Sequence, residues 1–115
     1  MAGGRHKKRD RKSIVLKLDI DNECDMADMI RNGIVLSLLD GKMFNVKNID
    51  MKTSPSGKGL HVEIEIEPLV KLDEKDVIIL QLLLGSDRAR EFFNWIRIRG
   101  GLKKWNILFD QKTSH

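Results

Sequence analysis

Asp19 and Asp21 stand two residues apart at the end of the run Leu16-Lys17-Leu18-Asp19-Ile20-Asp21. Carboxylates at that spacing on a strand point the same way, and their hard oxygens suit a divalent cation such as Mg²⁺ or Mn²⁺. A cation held so can orient a triphosphate and activate an attacking hydroxyl. Asp-x-Asp is also a common spelling of a solvated strand end followed by a helix cap, and the pair alone does not choose between the two. Further along, Ser54, Ser56, Gly57, Lys58 and Gly59 offer hydroxyls, unobstructed backbone N–H groups and one ammonium, a composition suited to cradling a nucleotide phosphate. The spacing of a Walker A loop is absent, and the same residue types make ordinary hairpin loops. His61 follows at once, as a candidate phosphate ligand or proton donor, although an outward histidine on a strand is often merely exposed.

Elements must bring these residues together. Ile14 to Asp21 alternates at period two, with Ile14, Leu16, Leu18 and Ile20 on one face and Val15, Lys17, Asp19 and Asp21 on the other. From about Asp25 to Leu39, the residues Met26, Met29, Ile30, Ile34 and Leu38 recur near helical spacing, and Asp40-Gly41 closes the segment. Phe44 to Lys52 reads as a weaker strand whose apolar residues change sides, which calls for a bulge or a short register. Leu60 to Glu67 is the cleanest alternation, with His61, Glu63, Glu65 and Glu67 facing outward, and it ends at Pro68. Asp73 opens a second helix through Val77 to Leu84, Gly85-Ser86 interrupts it, and it resumes from Asp87 to about Ile98. Trp105 to Phe109 reads as a last strand.

The order βαββαβ predicts an α+β, ferredoxin-like (RRM-like) domain: a four-stranded antiparallel sheet with helices on one face. Its first and third strands lie side by side in the middle. Asp19 and Asp21 then stand beside His61, Glu63 and Glu65 on the uncovered face, with strands about 4.8 Å apart.

Leu16 to Asp21, followed by Ser54-Pro55-Ser56-Gly57-Lys58-Gly59-Leu60-His61-Val62, resembles the archaeo-eukaryotic primase superfamily, the primases and primase-polymerases. That resemblance implies an RRM-like catalytic core with an hhDhD motif for metals and a Ser-x-His-type motif for the nucleotide. Asp19 and Asp21 match the metal ligands, Ser56 and His61 match the nucleotide motif, and Asp110 after Ile107-Leu108-Phe109 matches a third, strand-ending carboxylate. A catalytic set of Asp19, Asp21 and His61 follows, using Mg²⁺ or Mn²⁺ in nucleotidyl transfer. The resemblance covers most of the chain by topology and two short stretches by motif. Primase catalytic domains are usually larger than these 115 residues, and many carry a zinc site that one cysteine cannot supply.

Composition bounds the rest. A chain of 115 residues, 41% hydrophobic and 33% charged, suits one globular domain. The lone Cys24 excludes an internal disulfide, and the absence of tyrosine excludes every tyrosine-nucleophile mechanism. No apolar run approaches the roughly 18 residues that span a bilayer, and no secretory signal opens the chain, so the expectation is an intracellular protein without membrane contact. Residues 1 to 12 set Arg5, Lys7, Lys8, Arg9, Arg11 and Lys12 against Asp10, a net of +5, which leaves −1 for residues 13 to 115. The first twelve therefore read as a flexible basic arm, suited to the phosphate backbone of DNA or RNA or simply to solubility. Arg88, Arg90, Arg97, Arg99, Lys103 and Lys104 form a second possible phosphate-facing patch, with Trp95 or Trp105 for stacking, whereas the aromatics near them read more simply as core. Residues 77–84 are apolar nearly all round, so a homodimer contact or a partner subunit could cover what the domain itself does not. Three functions compete: a primase-like nucleotidyltransferase, a non-catalytic nucleic-acid-binding module, and a protein-interaction or assembly factor.

Overall fold

The computed structural model describes residues 12–21, 26–54, 57 and 59–107. Their elements are β1 (Ile14–Asp21), α1 (Met26–Leu39), β2 (Phe44–Thr53), β3 (Gly59–Pro68), α2 (Glu74–Leu83) and α3 (Arg88–Arg99). The strands form one antiparallel sheet in the order β1-β3-β2. Alternation decides its two faces. Leu16, Leu18 and Ile20 of β1 and Val62, Ile64 and Ile66 of β3 are buried on one side, together with Phe44 and with Val77, Ile78, Leu80 and Leu84 around α2. The polar residues between them occupy the opposite side. The expected bulge in β2 lies between Val46 and Asn48, and it returns Ile49 and Met51 to the apolar face opposite Ile64 and Val62.

Local chemistry sets the helix limits. Asp73 caps α2 by accepting from the Asp76 N–H at 3.0 Å, while the Asp76 carboxylate accepts from the Asp73 N–H at 3.0 Å. Gly85, at φ +103°, takes the left-handed turn out of this helix, a conformation that a side chain would strain. Asp87 then caps α3, accepting from the Arg90 N–H at 3.1 Å.

The sequence reading is corrected at three points. Among the described residues the sheet has three strands, not four, and three helices stand where two were expected. Consequently β3 alone is central and β1 is an edge strand. The reason lies along that outer edge, where a fourth strand would pair. The Lys17 N–H donates to Gln81 Oε1 (2.9 Å), the Asp19 N–H donates to Ser86 Oγ (3.0 Å), and the Asp19 carbonyl accepts from the Asp87 N–H (2.8 Å). The Lys17 carbonyl accepts from Arg90 Nη1 at 2.7 Å. With these groups satisfied, Trp105, Asn106 and Ile107 have no ladder to join. Instead the Ile107 carbonyl accepts from Arg90 Nε at 2.8 Å, and the Asn106 side chain bonds to Gln81 and Arg90. Leu108 and Phe109 lie outside the described residues.

The third correction concerns α3, which faces the other way. Arg90, Glu91 and Asn94 are buried, while Phe92 and Phe93 are about half exposed, at 53% and 50%. A buried helix face beside an unpaired strand edge has to bring donors and acceptors, and phenyl rings bring neither. Trp105, by contrast, is in the core as expected.

Candidate functional site

In the β1·β3 ladder Asp19 stands directly opposite His61, Lys17 opposite Glu63, and Asp21 opposite Gly59. On the other side of β3, Lys52 faces His61 and Asp50 faces Glu63. The polar face therefore carries one row of Lys52, His61 and Asp19 and a second of Asp50, Glu63 and Lys17. His61 Nε2 lies 3.8 Å from Asp19 Oδ1, with the imidazole 16% and the carboxylate 34% exposed. A directly opposed cross-strand pair holds both groups with little freedom to separate.

The turn from β2 to β3 closes the same end of the sheet. The Ser54 N–H donates to the Gly59 carbonyl at 2.8 Å, the Gly57 N–H donates to the Ser54 carbonyl at 2.8 Å, and Gly57 has φ +76°. Asp19, Asp21, Ser54, Gly57, Gly59 and His61 are thus brought to one end by backbone register. Ser56, Lys58 and Asp110 lie outside the described residues, as do Arg5, Lys7, Lys8, Arg9 and Arg11. Lys12 is exposed just before β1, at the opposite end of that strand from Asp21. The seven steps along the chain from Lys12 to Asp19 span about 23 Å at strand rise. Glu63 and Glu65 face outward between the two ends.

A hard divalent cation suits the carboxylate oxygens here. Among the described residues no group of three or more His, Cys, Asp and Glu side chains gathers to form an all-protein cage. Mg²⁺ does not need one, because it is usually bound through one or two carboxylates with waters and substrate phosphates completing its octahedron.

Two of the six residues in the second basic patch are engaged within the protein, while Arg88, Arg99, Lys103 and Lys104 are exposed. Arg90 is 4% exposed and points into the protein, Arg97 donates to Asn94 Oδ1 at 2.8 Å, and Trp105 is buried away from any base. The Arg99 guanidinium lies 5.0 Å from the centre of the Trp95 ring. Burial pulls the Arg90 guanidinium below its ordinary pKa, opposed by the charges of Glu91 and Asp19. Arg90 thereby adds a positive field behind Asp19.

Sequence reasoning missed the network that surrounds Arg90. Glu91 accepts at Oε2 from Arg90 Nη1 and from Ser86 Oγ (2.7 Å), and at Oε1 from Gln81 Nε2 (2.8 Å) and Asn94 Nδ2 (3.0 Å). Its signal was present as Gln81 inside an apolar run and Asn94 between Phe93 and Trp95, polar residues where the pattern asks for apolar ones.

No protein-family model matches the chain, and no solved structure matches it. Over 106 residues it is 32% identical to a protein of Sulfolobus islandicus filamentous virus (isolate Iceland/Hveragerdi) described as "Uncharacterized protein 30". The match takes in 87% of this chain and 38% of the viral protein, so the chain spans well under half the length of that relative. Among the described residues no helix is long and apolar enough to cross a membrane.

Proposed function

We propose that the protein binds nucleic acid through its basic arm and a nucleoside triphosphate at the sheet end formed by Asp19, Asp21, His61 and the turn from Ser54 to Gly59. The observation that carries this reading is the opposition of Asp19 and His61 at 3.8 Å, beside a turn of small and polar residues. Aspartates alone would repel a triphosphate, so Asp19, with Asp21 two residues on, would hold a divalent cation. When bound, that cation neutralises phosphate charge and supports nucleotidyl transfer of the primase kind. His61 would donate to a phosphate oxygen, and the turn would contribute backbone N–H groups and the Lys58 ammonium. Glu63 and Glu65 repel a polyanion laid along the sheet, so contacts to the nucleic-acid backbone belong to the arm. Eleven residues reach about 36 Å when extended, enough to bridge the length of β1.

Calorimetric titration with Mn²⁺ and a nucleoside triphosphate, on the wild type and on Asp19→Ala/Asp21→Ala, tests the reading. Metal-dependent binding that the double variant loses supports it. DNA or RNA binding that ignores metal and disappears on deleting residues 1 to 12 reduces the protein to a non-catalytic binder. Failure of both leaves an interaction or assembly role.

A further inference from the structure

The two edges of the sheet are treated differently. That of β1 is covered at Lys17 and Asp19, whereas β2 presents ten residues of edge strand, and from Lys47 onward every one is exposed. Register decides which backbone groups face outward. Lys17 and Asp19 turn their N–H and C=O groups away from β3. Since pairing alternates along an antiparallel ladder, Leu60, Val62 and Ile64 bond to β1, and His61 and Glu63 bond to Lys52 and Asp50 of β2. Ile49, Met51 and Thr53 therefore direct their N–H and C=O groups out from the sheet. The inward bond from Ser54 to Gly59 has the matching parity. Earlier in the strand, the Val46 N–H is capped by Asp40 Oδ1 at 2.9 Å, which limits the open stretch to residues beyond the bulge.

We infer that this edge is an interface between two copies of the chain, in which β2 pairs antiparallel with β2 of a second copy about a two-fold axis at Met51, making one six-stranded sheet. Charge selects the occupant and the register. An axis at Met51 sets Asp50 of each copy opposite Lys52 of the other, at the non-hydrogen-bonded positions where side chains are closest. An axis at Asp50 would oppose two aspartates, and one at Lys52 two lysines. Within one copy both residues are poorly matched, because Asp50 faces Glu63 and Lys52 faces His61. Among the described residues neither forms an ion pair. A second copy supplies the opposite charge to each, the self-complementarity that a two-fold contact requires.

The apolar side agrees. Ile49 and Met51 are 44% and 58% exposed, and they line an apolar groove of about 230 Å³ between the sheet and Met29, Gly33 and Leu36 of α1. Pairing at Met51 joins the two grooves into one continuous apolar layer, with Ile49 of each copy opposite Thr53 of the other. Such pairing also relieves the hazard of a long open edge.

Sedimentation equilibrium tests the inference on the full chain. The wild type is expected at twice the chain mass. Asp50→Lys and Lys52→Asp should each weaken dimerisation by about tenfold or more, since each turns two attractive pairs repulsive. Mixing the two variants should restore a dimer, because the first then sets two positive charges against the two negative charges of the second. That restoration also shows that the variants are folded. A monomeric wild type overturns the inference. So does a dimer that neither reversal weakens, which would place the contact on the exposed apolar residues of α2 and α3, or a mixture that stays monomeric.

Discussion

Replacing Glu91 by alanine should be among the most damaging single changes in the protein. Its carboxylate is 1% exposed and accepts from four donors, on Arg90, Ser86, Gln81 and Asn94. Glu91→Ala leaves the Arg90 guanidinium buried without its counter-charge, a loss of about 3–5 kcal/mol. A domain of this size has a total stability of about 5–15 kcal/mol. The damage also spreads, because Gln81, Ser86 and Arg90 are the side chains that satisfy the outer edge of β1. In urea, with a slope of about 2 kcal/mol/M, the unfolding midpoint followed by circular dichroism should fall by about 1.5–2.5 M. Lys75→Ala, on the exposed surface of α2, should stay within about 0.5 kcal/mol of the wild type. Removing both charges with Arg90→Met/Glu91→Leu should cost less than the sum of the single changes, since neither ion is then left alone. A fall below about 0.5 M for Glu91→Ala would refute the reasoning that this network replaces a fourth strand.

Asn94→Ala should destabilise by about 1–3 kcal/mol and Phe92→Ala by less than about 1 kcal/mol in the same assay, the reverse of what an aromatic core would give. The N–H of Asp76 holds the Asp73 carboxyl below its usual pKa, so its contribution to stability is present above the ordinary carboxylate range. That contribution is lost as pH falls through the lowered value, and Asp73→Asn should flatten this acid limb of a stability–pH profile. For nucleic acid, deleting residues 1 to 12 removes six basic side chains. The slope of log affinity against log salt should then become shallower by up to about 5, at about 0.9 for each phosphate that the arm neutralises on duplex DNA.

Much of the frame was legible. The alternation of Ile14 to Ile20 and of Leu60 to Ile66 fixes two strands and their faces, and the expected pairing of the first strand with the third sets Asp19 beside His61. Asp73 and Gly85-Ser86 mark helix limits because capping and turn chemistry are local. What escaped the pattern is nonlocal. Helical spacing cannot say which face turns inward: Met26, Ile30, Ile34 and Leu38 of α1 stay exposed, while Val35, Leu36 and Leu39 pack on the core. Hydropathy gives Phe92 and Phe93 to the interior, yet the helix lies against a strand edge whose groups need Arg90, Gln81 and Ser86. The same edge decides the fate of Trp105 to Ile107, whose β-like composition gains nothing where no ladder is open.

Paramagnetic broadening by Mn²⁺ in amide NMR spectra, recorded with and without a nucleoside triphosphate, tests the proposed function most directly. Loss of signal should centre on residues 19–21 and 59–61, strengthen when the triphosphate is present, and vanish in Asp19→Ala. Broadening centred elsewhere, or none at all with the triphosphate present, would contradict a nucleotide site at this end of the sheet.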